Sequence, residues 1–222
     1  MNRAIRTVVA VIGILFAIGG ITHGYSEVLQ GSTATPGLMI EAIHESRQTW
    51  AYGGEAAFTL IPNFLVTGLA AIAVSIVIII WCLRFLDTKH GATVFLVLFV
   101  LSLLVGGGIG QVAFFVPAWL FATRINKPLT WWRDALPQGF RQAIGGLWRW
   151  TVVLAAALVL IALEIAIFGY FPGVADAEQL MNIVMTSLGS ALLLFVIAFI
   201  SAVASDIERQ REQGAMRPAV SR

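Results

Sequence analysis

Charge is what this sequence has least of. Asp, Glu, Lys and Arg together make up 12% of its 222 residues, whereas hydrophobic residues make up 59%. An ordinary soluble domain carries roughly twice that share of charge. Too little polar material is left to clothe a water-facing surface, so a soluble globular class is excluded. Cysteine is almost missing too. Cys82 stands alone, which rules out an internal disulfide and any thiolate metal cluster. Histidine is scarce: His23, His44 and His90 fall in three different segments, so a facing pair of haem ligands is not expected. The sequence has no P-loop, HExxH, GxSxG or EF-hand pattern, no Asn-x-Ser/Thr acceptor, and no lysine inside an apolar run to carry a Schiff base. No cofactor and no metal is expected, and the formal charge of +2 gives no reason to expect a nucleic acid partner.

What the sequence does have is apolar length. A helix needs about 20 apolar residues to cross a bilayer, and several runs here reach that. They are continuous rather than alternating at period two, which favours helices over a transmembrane barrel. The expected class is therefore all-α, a polytopic membrane helix bundle. One transmembrane domain, residues 1–204, is predicted to precede a charged cytoplasmic tail, residues 205–222. Spans are predicted at about 7–26, 56–83, 148–171 and 180–204. The first begins with Arg3 and Arg6 like a signal peptide, but its apolar run continues past Ala17-Ile18-Gly19, so a retained span is expected.

Residues 91–123 form an apolar stretch of 33 residues, about 50 Å as one straight helix and too long for a single crossing. Its middle reads Gly106-Gly107-Gly108-Ile109-Gly110-Gln111, and glycine readily takes turn conformations. Two short helices, 92–105 and 111–122, joined by a glycine turn, are predicted. That makes six membrane segments. The same glycines, read from Gly108 to Ala113, fit a relaxed dinucleotide fingerprint, but no strand or βαβ unit surrounds them.

Charge placement supports the double crossing. With six segments, all of the 14 Lys and Arg residues except Arg47 fall on the side of both termini, which basic-residue bias identifies as the cytoplasm. A bacterial-type inner membrane with a cytoplasmic N-terminus is the expected home. Trp81, Trp119, Trp131, Trp132, Trp148 and Trp150 then gather at the cytoplasmic interface, and Tyr25, Tyr52 and Tyr170 at the outer one. A re-entrant hairpin would produce the same ledger. Two polar segments carry interleaved apolar residues and are read as interfacial amphipathic helices: residues 37–50, with Leu38, Met39 and Ile43 on one face, and the basic, Trp-rich residues 124–146. The basic, Trp-rich residues 131–149 could contact anionic lipid, although an anchoring role suffices.

Glu164 is the ionisable residue placed deepest in an apolar run, and such a carboxylate is expensive there. His23, Glu27, Asn63 and Gln111 are predicted at similar depth, so five polar residues from four segments form the candidate pocket. The glycine break at Gly106, Gly107, Gly108 and Gly110 either lines a pathway or simply packs tightly. Gly20 and Gly24, with Gly13 and Ala17, make a small-residue face that seats a neighbouring helix. Three functional readings follow: binding or passage of a small solute or proton through an outer pocket, an accessory or assembly subunit, or a membrane enzyme using His23 with Glu27 or Glu164 as acid and base. The expected partners are membrane lipid and either another membrane protein or a second copy of the chain.

Overall fold

The computed structural model describes residues 1–215. It is mostly helical: α1 (Arg3–Val28), α2 (Phe64–Arg84), α3 (Gly91–Leu104), α4 (Val112–Ala122), α5 (Thr130–Ala135), α6 (Gln138–Ile144), α7 (Trp148–Phe168) and α8 (Ala177–Ala215). A two-stranded antiparallel hairpin, β1 (Met39–Glu41) with β2 (Ala56–Phe58), interrupts the α1–α2 connection. Four helices, α1, α2, α7 and α8, are long and apolar enough to cross a membrane, and α3 and α4 are shorter apolar helices. The outer face of the bundle is apolar as well, with Val153 and Leu193 each 62% exposed, as lipid contact requires.

The helices pack as pairs, α1 along α2 and α7 along α8. Small residues set the first pair. A Cβ on Gly24 would fall 2.6 Å from the Gly68 carbonyl oxygen, and one on Gly68 would fall 2.5 Å from that of Gly24, so the two backbones meet directly. The small-residue face of α1 is thus spent within the chain. An aromatic ladder ties α3, α4 and α8 together: Phe99 stacks on Phe115 at 5.2 Å, Phe114 meets Phe195 edge-on at 6.0 Å, and Phe121 stacks on Phe199 at 4.2 Å. Each such pair adds about 0.5–1.5 kcal/mol beyond simple burial.

The glycine segment reverses the chain. At one end of the hairpin made by α3 and α4, Asn126 Nδ2 donates to the Asp87 carbonyl at 2.6 Å. Asn2 donates there from its backbone to Ile125 and from its side chain to Arg124 and Lys127. At the other end, Leu60 N–H reaches the Leu104 carbonyl and Gly106 N–H the Phe58 carbonyl, both at 2.9 Å. Both ends of the glycine-broken pair therefore return to the end of the bundle that holds Asn2.

Four expectations are corrected. Residues 39–41 form a strand rather than part of an amphipathic helix: Ile40 is buried between exposed Met39 and Glu41, the period of two that belongs to a sheet, and Pro36-Gly37 just before them disfavours a helical start. The second span begins at Phe64, not 56, because Pro62 biases Ile61 away from helix and Asn63 caps α2 by accepting from Val66 N–H at 3.1 Å. The third long span stops at Phe168, where Gly169 adopts φ +61° as a left-handed cap. The segment beginning at 205 is not a tail over its described part, since α8 continues to Ala215; residues 216–222 lie outside the described residues.

That extension is built into the bundle. Asp206 is buried and accepts from the backbone N–H groups of Ala4 (3.1 Å) and Ile5 (3.0 Å), satisfying donors that the first turn of α1 leaves open. A carboxylate also suits the positive end of the helix dipole. Gln210 reaches Asn2 Oδ1 at 2.6 Å. Asp206→Ala should therefore cost about 1–3 kcal/mol, read as a lower thermal unfolding midpoint in detergent, with Asp206→Asn recovering part of the loss.

In the turn between α2 and α3, Asp87 lies 3.1 Å from Arg6 Nε, and that hydrogen bond holds its carboxyl below the usual range. A depressed folded-state pKa contributes stability that is present above the unfolded value and lost as pH falls through the folded one. Asp87→Asn should accordingly melt slightly lower than wild type at neutral pH, and the gap should close below the ordinary carboxylate range.

Candidate functional site

The last two turns of α1 carry His23 and Glu27 four residues apart, so both side chains lie on one face. That face looks toward the glycine turn. Gly106, at φ +96°, brings its backbone against the Glu27 carboxyl, and Gly108, at φ +89°, sits over the His23 ring. A Cβ on Gly106 would overlap the carboxyl oxygens, and one on Gly108 would lie 2.9 Å from His23 Nε2. Both positions need glycine twice over, once for the positive φ and once for the approach.

Hydrogen bonds hold the turn in place. Gly106 N–H donates to Phe58, Ile109 N–H to Ala56 at 3.4 Å, and Thr67 Oγ1 to the Val105 carbonyl at 2.8 Å. Thr59 and Thr67 share a hydroxyl contact at 2.6 Å. The β-hairpin thus serves as a docking edge for the turn. Its neighbour Glu55 is the single non-glycine residue with positive φ (+55°) among the described residues, a conformation that costs about 1–2 kcal/mol. This strained residue places its Oε2 3.0 Å from His23 Nε2.

Several polar groups have no protein partner among the described residues. Glu27 is fully buried, and neither of its oxygens meets a donor. His23 Nδ1, Ser75 Oγ and the Gln111 carboxamide oxygen are buried in the same condition. Gln111 Nε2 contacts Ser102 Oγ only at 3.5 Å. A buried carboxylate without a donor is very costly, so Glu27 calls for a proton or a cation. Beside His23 lies a cleft of about 380 Å³, lined by Glu55, Gln111 and the glycine turn together with Trp50, Leu163 and Met185. That volume suits a small ligand. A second hollow of about 10 Å³, between His23, Ser26 and Glu55, matches a single water molecule. Below this layer the bundle is closed by Ile12, Ile78, Phe95 and Phe99, each no more than 1% exposed.

Of the five residues expected to converge, three do. His23, Glu27 and Gln111 meet around Gly106, Gly107 and Gly108. Glu164 does not: it is exposed on α7, beside Leu163 of the cleft wall but facing away from it. Nor does Asn63, whose side chain caps α2 and donates to Ser32 Oγ at 3.1 Å. Gly110 lines the cleft with open space around it. The carboxylate beside His23 is Glu55, which sequence reasoning left in the outer loop; only its place next to Gly53-Gly54 hinted at a turn. Among the described residues no three His, Cys, Asp or Glu side chains converge as metal ligands. Compared with protein-family models, with curated proteins and with solved structures, the chain matches none.

Gly106→Ala should destabilise the protein by at least about 1–2 kcal/mol from the positive φ alone, with the overlap on Glu27 adding to it. Its cost should shrink in a Glu27→Ala background, because neighbours that share a contact are not additive. A double-mutant cycle of thermal unfolding midpoints measures the coupling.

Proposed function

We propose that this chain is a non-enzymatic integral membrane protein of a bacterial-type inner membrane, which takes up a proton or small solute in a pocket open to the outer side. Its six helical segments comprise α1, α2, the short pair α3 and α4, α7 and α8, with both termini cytoplasmic. The basic-residue bias supports that orientation, since Arg47 alone among the Lys and Arg residues belongs to the outer loops. The return of both hairpin ends to the level of Asn2 supports the segment count.

The observation that carries the reading is Glu27, a fully buried acid whose two oxygens have no protein donor. A fold stable by only about 5–15 kcal/mol retains such a group at a real cost, and intramembrane acids mark ion and proton sites. Glu55 and His23, in contact at 3.0 Å, give a proton a route from the outer loop to the last turns of α1. The apolar layer of Ile12, Ile78, Phe95 and Phe99 closes the side away from the cleft, so passage across the bilayer would require the α3–α4 hairpin to shift.

A second reading, a membrane enzyme, is favoured by one fact. His23 Nε2 lies within hydrogen-bond reach of a carboxylate, the arrangement of a general acid–base pair, although that carboxylate is Glu55 and not Glu27 or Glu164.

In proteoliposomes carrying a pH-sensitive dye, Glu27→Gln should abolish proton uptake or lower it by at least about a hundredfold, the lower end of what a lost acid–base group costs. Glu164→Gln should behave like wild type. If Glu27→Gln matched wild type both in proton uptake and in the pH dependence of its thermal stability, the proposal would fall.

A further inference from the structure

A second convergence of charge occurs at the opposite end of the bundle, where α8 runs past the apolar region beside α5 and α6. A cavity of about 510 Å³ opens there, and Arg133, Arg141 and Arg211 line it over a floor that includes Leu129 and Ile207. Among the described residues no carboxylate lines it, although Glu208 stands behind Arg141 and Arg211. The three guanidinium groups come from α5, α6 and the far end of α8, so the fold itself assembles them.

Arg141 is the fixed member, only 7% exposed. Its Nε donates to Glu208 Oε1 at 2.8 Å, and its Nη1 donates to the carbonyls of Arg133 and Leu136. Among the described residues no protein acceptor meets its Nη2. The other two are loosely engaged: Arg133 Nε stands 3.8 Å from Asp134, and Arg211 Nη1 stands 4.0 Å from Glu208. Two loosely paired, exposed forks around one fixed fork suit a phosphate group, because guanidinium presents paired donors in the geometry that phosphate oxygens accept.

On the other flank of α5 lies a groove of about 440 Å³, lined by Leu120, Phe121, Arg124, Trp131 and Trp132. Trp131 is 68% exposed and packs edge-on against Trp132 at 4.9 Å. Tryptophan concentrates at the level of lipid headgroups. One short helix therefore has a cationic cavity on one side and an aromatic groove at the end of a membrane helix on the other.

We infer that the two hollows form one binding site for an anionic phospholipid, with its phosphate in the arginine cavity and an acyl chain along the tryptophan groove. A plain interfacial anchor needs arginines that face outward. Here one is buried and oriented by Glu208, and another arrives from a helix about 70 residues away in sequence, which is the construction of a site. The inference requires only that the protein lies in a membrane, and it is independent of the outer pocket around Glu27.

The test uses the full-length protein, delipidated in detergent, with lipid retention followed by native mass spectrometry. Phosphatidylglycerol and phosphatidylcholine of identical chains are the probes, and inorganic phosphate and glycerol phosphate are the competitors. Phosphatidylglycerol should be retained at least about tenfold over phosphatidylcholine. The preference should fall roughly fivefold for each arginine removed in Arg133→Gln and Arg211→Gln. Both side chains are exposed, so the thermal midpoint should hold, and Trp131→Ala should weaken lipid retention further. Equal retention of the two lipids would overturn the inference, as would an unchanged preference in the double variant. Displacement by glycerol phosphate as effective as by phosphatidylglycerol would assign the cavity to a soluble phosphate and overturn the lipid site.

Discussion

A chain that breaks a helix must find partners for the backbone groups it releases, because a buried N–H or C=O left unpaired is costly. The glycine turn between α3 and α4 meets that requirement with a strand. Phe58 and Ala56 of β2 accept from Gly106 and Ile109, and Thr67 donates to the Val105 carbonyl. Everything else at that end follows. The hairpin can reverse only because β2 is present, β2 is held by β1, and the loop containing both is pinned to α7 through Trp50 Nε1 and Thr49 Oγ1 on the carbonyls of Ala166 and Ile167. The polar loop between α1 and α2 is thus the scaffold for the apolar hairpin.

The same docking decides which residues become a site. A reversing turn without side chains can lie flat against α1, and it covers the face that carries His23 and Glu27. Had Gly106 or Gly108 carried a Cβ, the turn would have to stand off and the acid would open to the outside. Burial of Glu27 is therefore a consequence of glycine chemistry at a position some 80 residues away, and Glu55, at its positive φ, sets a second carboxylate against the histidine. Strained backbone conformations persist where the surrounding structure over-determines them, as hairpin and turn do here.

How much of this was legible in the sequence depends on the range of the interaction. The helices were, because continuous apolar length is a local property, and so was the reversal at Gly106–Gly108, because glycine clusters and excess length appear within one window. His23, Glu27 and Gln111 were found by estimating depth along each span. Depth is one coordinate only; the rotation of a helix about its axis is set by packing, and that coordinate turns Glu164 outward on α7 while turning Glu27 inward on α1. For residues 39–41 three positions are too few for hydropathy alone to separate a helical from a strand period, and their pairing with 56–58 is a long-range fact. Glu55 escaped for the same reason.

The far end of α8 shows the opposite case, in which composition pointed to a solvated tail and tertiary contacts overrode it. Asp206, Glu208 and Gln210 have the composition of a solvated segment, yet each meets a fixed partner: the open N–H groups of α1, the buried Arg141, and Asn2. Each partner lies more than 60 positions away, so no window holds both halves of the pair. Because α1 is capped by α8 at one end and covered by the α3–α4 turn at the other, a shift of α1 along its axis would disturb both ends together. Glu27 and the Asp206 cap are then coupled through one helix. Loosening Asp206 from Ala4 and Ile5 should therefore also loosen the fit of Gly106 on Glu27, even though most of the length of α1 separates them.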